Sequence, residues 1–257
     1  MANENNYIYL WLKLIKLAKT RLRSPEDYFN FECFQGNLLV EYLRKNNIDL
    51  RNKIILDVGS GFGGYAYSLH NAGAKVFSLD LESFLHYKNI YHVIGNALNL
   101  PYKREFFDLI VCSSLVEHVK RPQLLIRELS RVLSIHGFLY ISYPPFFSPL
   151  GGHHFSPFHL FGEKVAISLT KFLRKKYFNI EWIKEKGIVK NPNSISELFE
   201  NWGLYPITIK DMKKIISMTD LYIIDMSTRW FPINTSKIPV INEYITWHVQ
   251  FLMRKVQ

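Results

Sequence analysis

Two kinds of apolar pattern alternate along most of this chain. Short runs rich in β-branched residues are typical of strands buried on both faces. Such runs lie at Ile54–Val58, Lys75–Leu79, Ile90–Ala97, Phe107–Cys112 and Phe138–Ser142. Between them, Tyr65–Asn71 and Pro122–Leu133 carry apolar residues at helical spacing, and Gly137 is expected to end the second helical unit. The alternation predicts an α/β fold with a largely parallel sheet.

The segments on either side of this alternating unit predict further elements. Tyr7–Arg23 has basic residues every three or four positions, which predicts an amphipathic helix. Ser24-Pro25 is a helix-start signal ahead of a second helix, Phe31–Asn46. Later in the chain the pattern predicts helices at Phe161–Trp182, Ser194–Trp202 and Thr208–Met218, and strands at Leu221–Ser227 and Thr246–Lys255.

A glycine-rich turn joins the first predicted strand to the next helix. Its glycines are Gly59, Gly61, Gly63 and Gly64, which fit the spacing G-x-G-x-x-G. Glycine permits positive φ and close approach of a ligand to the backbone, and a helix start offers unpaired N–H groups. Asp57 precedes the turn and can order it or meet a cationic group, while Asp80 ends the second strand, where an acid can accept both ribose hydroxyls of a nucleoside. The glycines alone do not separate a dinucleotide site from another nucleoside site.

Five blocks of sequence follow in order from the first strand to the fifth. They are I-L-D-V-G-S-G-F-G-G (55–64), V-F-S-L-D-L (76–81), V-I-G-N-A (93–97), F-D-L-I-V-C-S-S-L-V-E-H-V (107–119) and L-L-I-R-E-L-S-R-V-L-S-I-H-G-F-L-Y-I-S (124–142). In these blocks the chain resembles the class I S-adenosylmethionine-dependent methyltransferases, in particular the type 11 group. The resemblance implies a Rossmann-like seven-stranded sheet with helices on both faces, an N-terminal helical extension and a lid insertion after the fifth strand.

The resemblance also implies S-adenosylmethionine as the cofactor. The residues expected to bind it are Asp57, Gly59, Ser60, Gly61, Gly63, Gly64, Asp80, Leu81, Asn96, Ala97, Ser113 and His118. Asn96 stands where related enzymes usually have an acid for the adenine amino group, and its amide oxygen can still accept that hydrogen bond. We expect four parts: a helical cap (1–50), a cofactor-binding core (51–142), a substrate lid (143–207) and the remainder of the core sheet (208–257).

Candidate catalytic residues lie in a segment without charged side chains. Residues 132–162 contain no Asp, Glu, Lys or Arg but eight aromatic residues and four histidines. This segment is expected to run from the fifth strand into a loop above the active site, where α/β sheets bind ligands. His153, His154 and Tyr143 are the candidate general bases, ahead of Glu117 and His118. Metal binding by the loop histidines is not expected, because no carboxylate lies near them in the sequence.

The net charge of +10 is concentrated in two segments, 7–23 and 164–190. Such basic segments favour an anionic partner, which leaves a phosphorylated substrate, an acidic membrane surface or RNA open beside ordinary solvated helix faces. The helix at 7–23 is expected either to cap the cofactor pocket or to lie in a membrane interface with Trp11 and lysines as anchors. Two distant cysteines, Cys33 and Cys112, and the absence of a signal-peptide pattern favour a cytoplasmic location, with membrane association as the alternative.

These features together predict a methyltransferase. The expected acceptor is an oxygen of a small molecule, a sugar or a lipid-linked glycan, with an anionic acceptor favoured. The alternatives are an RNA methyltransferase that uses the basic segments as a phosphate track, and a non-catalytic module that keeps the fold for binding. A nicotinamide-dependent dehydrogenase ranks last, because the four blocks after the glycine turn argue against it.

Overall fold

The computed structural model describes residues 4–82, 89–173 and 204–256. Its strands are β1 Ile54–Val58, β2 Lys75–Asp80, β3 Tyr91–Ile94, β4 Phe107–Ser113, β5 Leu133–Tyr143, β6 Leu221–Thr228 and β7 Val249–Lys255. They form one sheet in the order β3-β2-β1-β4-β5-β7-β6. β7 is antiparallel to both of its neighbours, and the other adjacent pairs are parallel. The predicted Rossmann-like seven-stranded sheet is confirmed.

Helices cover both faces of this sheet. Those described are α1 Glu4–Thr20, α2 Pro25–Lys45, α3 Gly64–Asn71, α4 Pro122–Val132, α5 Glu163–Leu173, α6 Ile209–Ile216 and α7 Asn242–Ile245. Because side chains alternate along a strand, β1 contributes to two cores. Leu56 and Val58 belong to the core that also contains residues of α4 and α6. Ile55 belongs to the opposite core, which contains residues of α2 and α3.

The boundaries of α2 and β5 differ from the sequence-based expectation. α2 begins at Pro25 and not near Phe31, because the Ser24 side chain accepts a hydrogen bond from the Asp27 N–H and caps the helix there. β5 begins at Leu133, directly after α4. Gly137 therefore lies inside a strand and does not end the preceding unit. A Cβ at this position would lie 2.8 Å from the Ser134 carbonyl oxygen, so the glycine is explained by close backbone packing.

Several other predicted elements are found with shorter bounds. β3 is confined to Tyr91–Ile94, and β7 starts at Val249 and not at Thr246. The helix expected over Phe161–Trp182 is seen as Glu163–Leu173. Its continuation, the helix expected at Ser194–Trp202 and most of the basic segment 164–190 lie outside the described residues. The four-part division of the chain stays a prediction.

The N-terminal helix α1 packs beside the connection between β6 and β7. The indole N–H of Trp11 donates to the carbonyl of Trp230 at 3.0 Å, and its ring lies 5.1 Å from that of Trp247. Trp11 is thus a packing residue and is not available as a membrane anchor. Tyr9, Leu12 and neighbouring lysines remain on the exposed side, so contact with a membrane surface through this helix stays a prediction.

Two further expectations from the sequence can be compared with the fold. Cys33 and Cys112 are both free thiols, the first partly buried and the second buried. Within residues 4–82, 89–173 and 204–256, none of the helices has the length and apolar character required to cross a bilayer.

Candidate active site

The glycine turn lies at the carboxyl edge of the sheet and has the backbone that its sequence predicts. Gly59, Gly61 and Gly63 all have positive φ, between 52° and 84°. A side chain at Gly59 would also lack space, because its Cβ would lie 3.1 Å from the Leu115 side chain. The Gly59 N–H donates to the carbonyl of Leu79 at 2.8 Å, which ties the turn to the end of β2. The turn therefore needs glycine for both conformation and close approach.

The two carboxylates predicted from the sequence, Asp57 and Asp80, lie beside this turn. Asp80 accepts a hydrogen bond from the Gly61 N–H at 2.9 Å, and the turn thereby holds Asp80 at the cavity. Asp57 is 2% exposed beneath the turn, and its Oδ2 has no hydrogen-bond partner within the described residues. Burial is the main cause that raises the pKa of Asp57 to about 7, and the charge of Asp80 raises it further. Asp57 can therefore change its protonation state near neutral pH.

A third carboxylate, that of Glu32, was not foreseen from the sequence. Glu32 lies on α2, and its carboxylate accepts hydrogen bonds from the N–H groups of Phe62 at 3.3 Å and Gly64 at 3.0 Å. It thus occupies the amino-terminal end of α3, where backbone N–H groups favour negative charge. Burial nevertheless raises its pKa to about 8. Gly64 has to be glycine here, because a Cβ would lie 2.4 Å from the Glu32 Cβ.

A cavity of about 240 Å³ opens beside the glycine turn. Its lining comes from the ends of β1, β2 and β3 and from the turn after β4, and includes Gly59, Leu79, Asp80, Leu81, Gly95, Asn96, Ala97, Leu98, Leu115, His118, Val119 and Lys120. Leu81 is 70% exposed at the rim. The Asn96 side-chain oxygen accepts the Leu98 N–H at 2.9 Å, which fixes the amide group in this wall.

The predicted cofactor residues divide into three groups by their place around this cavity. Gly59, Asp80, Leu81, Asn96, Ala97 and His118 line it directly. Asp57, Ser60, Gly61, Gly63 and Gly64 form the turn and its base. Ser113 is not among the lining residues, and its hydroxyl lies 3.1 Å from that of Ser142. The role of each residue toward a cofactor stays a prediction.

His118, in the cavity wall, belongs to a cluster with Glu117 and His153. Glu117 and His118 belong to a short 3₁₀ turn after β4, and His153 begins another 3₁₀ turn at His153–Phe155. Glu117 is 2% exposed, and its Oε1 lies 3.5 Å from His153 Nε2. The rings of His118 and His153 are 5.0 Å apart at their centroids. His153 is not itself among the lining residues, but it lies against His118, which is. Its catalytic role stays a prediction.

The other two catalytic candidates are Tyr143 and His154. Tyr143 is fully buried, and its hydroxyl donates to the carbonyl of Thr208 at 3.0 Å. Burial raises the pKa of Tyr143 well above its ordinary value. A buried phenol that donates to the main chain is poorly suited to act as a base, so Tyr143 has a structural role in this fold. The backbone of His154 belongs to the turn with His153, but its side chain lies outside the described part of the chain.

A second polar network at this edge of the sheet was also missed from the sequence. Arg229 follows β6 and is 1% exposed, and its guanidinium approaches His248 Nε2 at 3.2 Å and donates to the Tyr65 hydroxyl. Tyr65 in turn donates to the Gln35 side-chain oxygen at 2.6 Å. Burial, and then the charge of Arg229, lower the pKa of His248 well below its ordinary value, so this imidazole is neutral at pH 7. The network joins the start of α3 to the β6–β7 connection.

Comparison with known proteins agrees with this geometry. Residues 56–141 match the family described as a methyltransferase domain. An uncharacterised methyltransferase of Mycobacterium leprae is 30% identical over 136 residues, which is 48% of this chain and 48% of the relative. A ubiquinone biosynthesis O-methyltransferase of Glaesserella parasuis is 28% identical over 145 residues, 51% of this chain and 61% of the relative. The match spans roughly half the length of these curated relatives.

A solved structure shows the same fold over a larger share of the chain. An S-adenosylmethionine-dependent methyltransferase from Mesorhizobium loti aligns with a TM-score of 0.55 at 16% identity. The alignment covers 84% of this chain and 96% of that structure. At this level of identity the similarity concerns the fold and does not extend to the acceptor.

Proposed function

We propose that this chain, whose residues 56–141 match the methyltransferase domain family and whose fold is that of a solved S-adenosylmethionine-dependent methyltransferase, transfers a methyl group to an oxygen of an acceptor bound beside His118 and His153. One observation carries the proposal. A cavity at the carboxyl edge has the glycine turn with Asp80 on one side and His118 on the other, and His118 lies against Glu117 and His153. A nucleoside cofactor and an acceptor can thus meet in one place.

The residues around the turn fit a cationic nucleoside. Three carboxylates surround the turn, namely Glu32, Asp57 and Asp80, and one buried carboxylate oxygen of Asp57 has no partner within the described residues. S-adenosylmethionine supplies a methyl group on a positively charged sulfur, and it also carries an ammonium group. Glu32 is mainly protonated at neutral pH, so the negative charge that favours such a ligand comes from Asp80 and from Asp57 in its ionised form. Asp80 would hold the ribose hydroxyls and Asn96 the adenine amino group, since both offer acceptor oxygens.

The chain's own contribution to transfer is mainly orientation. The reaction forms an oxygen–carbon bond and breaks the carbon–sulfur bond in one line, so the acceptor oxygen has to be held opposite the sulfur. Holding two reactants in this geometry can lower the barrier by about 7–11 kcal/mol. The turns that carry Glu117, His118 and His153 provide the acceptor wall, and the buried aromatic residue Phe155 follows directly.

Oxygen is proposed as the acceptor atom for two reasons. The acceptor wall contains a carboxylate beside imidazoles, which suits removal of a hydroxyl proton, and one of the relatives is named as an O-methyltransferase. A small molecule, a sugar or a lipid-linked glycan meets this requirement. RNA is the second candidate acceptor, with the basic segment 164–190 as its phosphate track.

Calorimetry with S-adenosylhomocysteine, followed by transfer assays with methyl-labelled S-adenosylmethionine, tests the proposal. Asp80→Asn should weaken cofactor binding by roughly 10–100-fold, since hydrogen bonds to a charged group contribute about 1.5–3 kcal/mol. Asp49→Asn is the matched control, because Asp49 is exposed and pairs with Arg51. Hydroxylated small molecules and glycans should accept label, with RNA as the comparison acceptor. Wild-type protein that binds no cofactor at millimolar concentration would overturn the proposal.

A further inference from the structure

The cluster of Glu117, His118 and His153 has a second property besides its place at the cavity. Each of the three residues offers one potential ligand atom, and these three atoms all lie within 4.8 Å of one another. Glu117 and His118 come from the turn after β4, whereas His153 comes from a turn 35 positions later. The fold therefore joins one carboxylate and two imidazoles that the sequence keeps in separate segments.

Glu117 in particular lacks the partners that a buried carboxylate needs. Neither of its oxygens has a hydrogen-bond partner within the described residues, although the side chain is only 2% exposed. The 3.5 Å approach of His153 Nε2 is a contact and not a short hydrogen bond. A buried carboxylate without hydrogen bonds or a cation is costly, because charge is then removed from water without compensation. A positively charged partner would compensate the buried Glu117 carboxylate.

The loop that carries His153 is held in place by a different histidine. His159 Nε2 lies 2.8 Å from the carbonyl oxygen of Phe146, and a Cβ at Gly152 would lie 2.3 Å from the His159 ring. His159 therefore packs the loop together and does not belong to the cluster. The sequence-based expectation of no metal rested on the lack of a neighbouring carboxylate, and Glu117 supplies that carboxylate from another loop.

The geometry points to a site for a divalent transition metal ion, of the Zn²⁺ type, on Glu117, His118 and His153. Two imidazoles and one carboxylate are a ligand set of catalytic zinc sites, in which a fourth position stays open. Imidazole ligands favour zinc, iron or cobalt over magnesium. With metal–ligand bonds of about 2.0–2.1 Å, tetrahedral ligand atoms lie roughly 3.3 Å apart. Glu117 Oε1 and His153 Nε2 already lie 3.5 Å apart. The distances between the three ligand atoms therefore need to shorten by about 1 Å or less on average.

The role of this ion toward the acceptor rests on the proposed methyl transfer. His118 belongs both to the cluster and to the cavity wall, so the open position of the ion would face the acceptor. A hydroxyl bound there would lose its proton to solvent more readily, because a metal ion lowers the pKa of a bound oxygen. That oxygen would attack the methyl carbon while the carbon–sulfur electron pair returns to sulfur. The acceptor class is therefore a hydroxyl compound.

The experiment uses the full chain, freed of metal with a chelator, and Co²⁺ as the probe. Calorimetry and the visible absorption of bound Co²⁺ measure stoichiometry and ligand field. We expect one Co²⁺ per chain, and at least about 100-fold weaker binding in Glu117→Gln and in His153→Ala, because even outer partners of a metal site contribute about 10–100-fold. His136→Asn is the matched control, since His136 is exposed and Asn tolerates its positive φ. Circular dichroism verifies that each variant is folded.

The outcomes separate this inference from the proposed function. Failure of wild-type protein to bind Co²⁺, or equal binding by the wild type and both folded variants, would overturn the metal site and leave only the side-chain contact between Glu117 and His153. Binding of S-adenosylhomocysteine by the metal-free protein would then still support the methyltransferase proposal. Conversely, the protein could bind Co²⁺ through Glu117 and His153 but bind no cofactor. This result would support the metal site and contradict its assigned role in methyl transfer.

Discussion

Replacing Glu32 by glutamine tests the unexpected carboxylate at the start of α3. Its pKa is raised from an ordinary value of 4.5 to about 8, chiefly by burial and further by the charges of Asp57 and Asp80. The hydrogen bonds from Gly64 and Phe62 act in the opposite direction but do not offset burial. The protonated form is therefore favoured in the folded chain at neutral pH.

The number of protons bound by the folded and the unfolded chain decides whether the free energy of unfolding rises or falls with pH. Between these two pKa values the folded chain holds a proton on Glu32 that the unfolded chain has lost, so the free energy of unfolding falls as pH rises. At about 1.4 kcal/mol per pH unit, the interval from 4.5 to about 8 corresponds to a loss on the order of 5 kcal/mol. The Glu32 contribution is fully present below pH 4.5 and lost above about pH 8.

Urea unfolding at about pH 5 and about pH 8 measures this difference. The wild-type free energy of unfolding should fall between these values, and the fall should be several kcal/mol smaller in Glu32→Gln. The share from Asp57, whose pKa is about 7, persists in the variant. Glu41→Gln, an exposed position on the same helix, should retain the full decline. An equal decline in wild type and Glu32→Gln would refute the assignment of this pH dependence to Glu32.

Two further predictions concern the same turn. Gly64→Ala should destabilise the fold by about 1–3 kcal/mol in urea unfolding, as overpacking does, because the new Cβ would lie 2.5 Å from the Cys33 nitrogen. Gly95→Ala, whose Cβ would meet the end of the flexible Leu79 side chain at 3.1 Å, should have a smaller effect, and an equal effect would contradict the clash. Binding of cationic S-adenosylmethionine should lower the pKa of Asp57 and therefore release protons near neutral pH. This release should be larger than the release on binding of S-adenosylhomocysteine. Calorimetry in buffers of different ionisation enthalpy measures this release, and equal release by both ligands would contradict the prediction.

The fold was largely predictable because its signals are local. The apolar runs of β1, β2 and β4 and the glycines after β1 follow one another at short range, and together they predict strands joined by a tight turn and a helix. The boundary of β5 was missed for the opposite reason. Gly137 looks like a helix stop in sequence, but its small size is needed where the Ser134 carbonyl approaches within a strand.

The site was predictable only where residues lie next to a recognisable turn. Asp57 and Asp80 could be expected because they stand at strand ends, whereas Glu32 looks like any polar residue of an amphipathic helix until α2 is packed on α3. Arg229 and His248 belong to the β6–β7 connection, and no sequence pattern indicates that they meet Tyr65. From the sequence, Glu117 ranks behind His153, His154 and Tyr143 as a candidate base, and no local pattern indicates that the fold brings His153 to 3.5 Å from its carboxylate.

The reversed strand β7 sets an order on the assembly of the sheet. β7 follows β6 along the chain, yet it lies between β5 and β6. During synthesis on the ribosome β6 therefore emerges before the strand that attaches it to the sheet. β6 cannot pair with the sheet until residues 249–255 have been synthesised, because β7 pairs with both β5 and β6. Until then the edge of β5 also stays unpaired. We therefore expect chaperones that recognise exposed strands to act in the interval between the synthesis of β6 and that of β7.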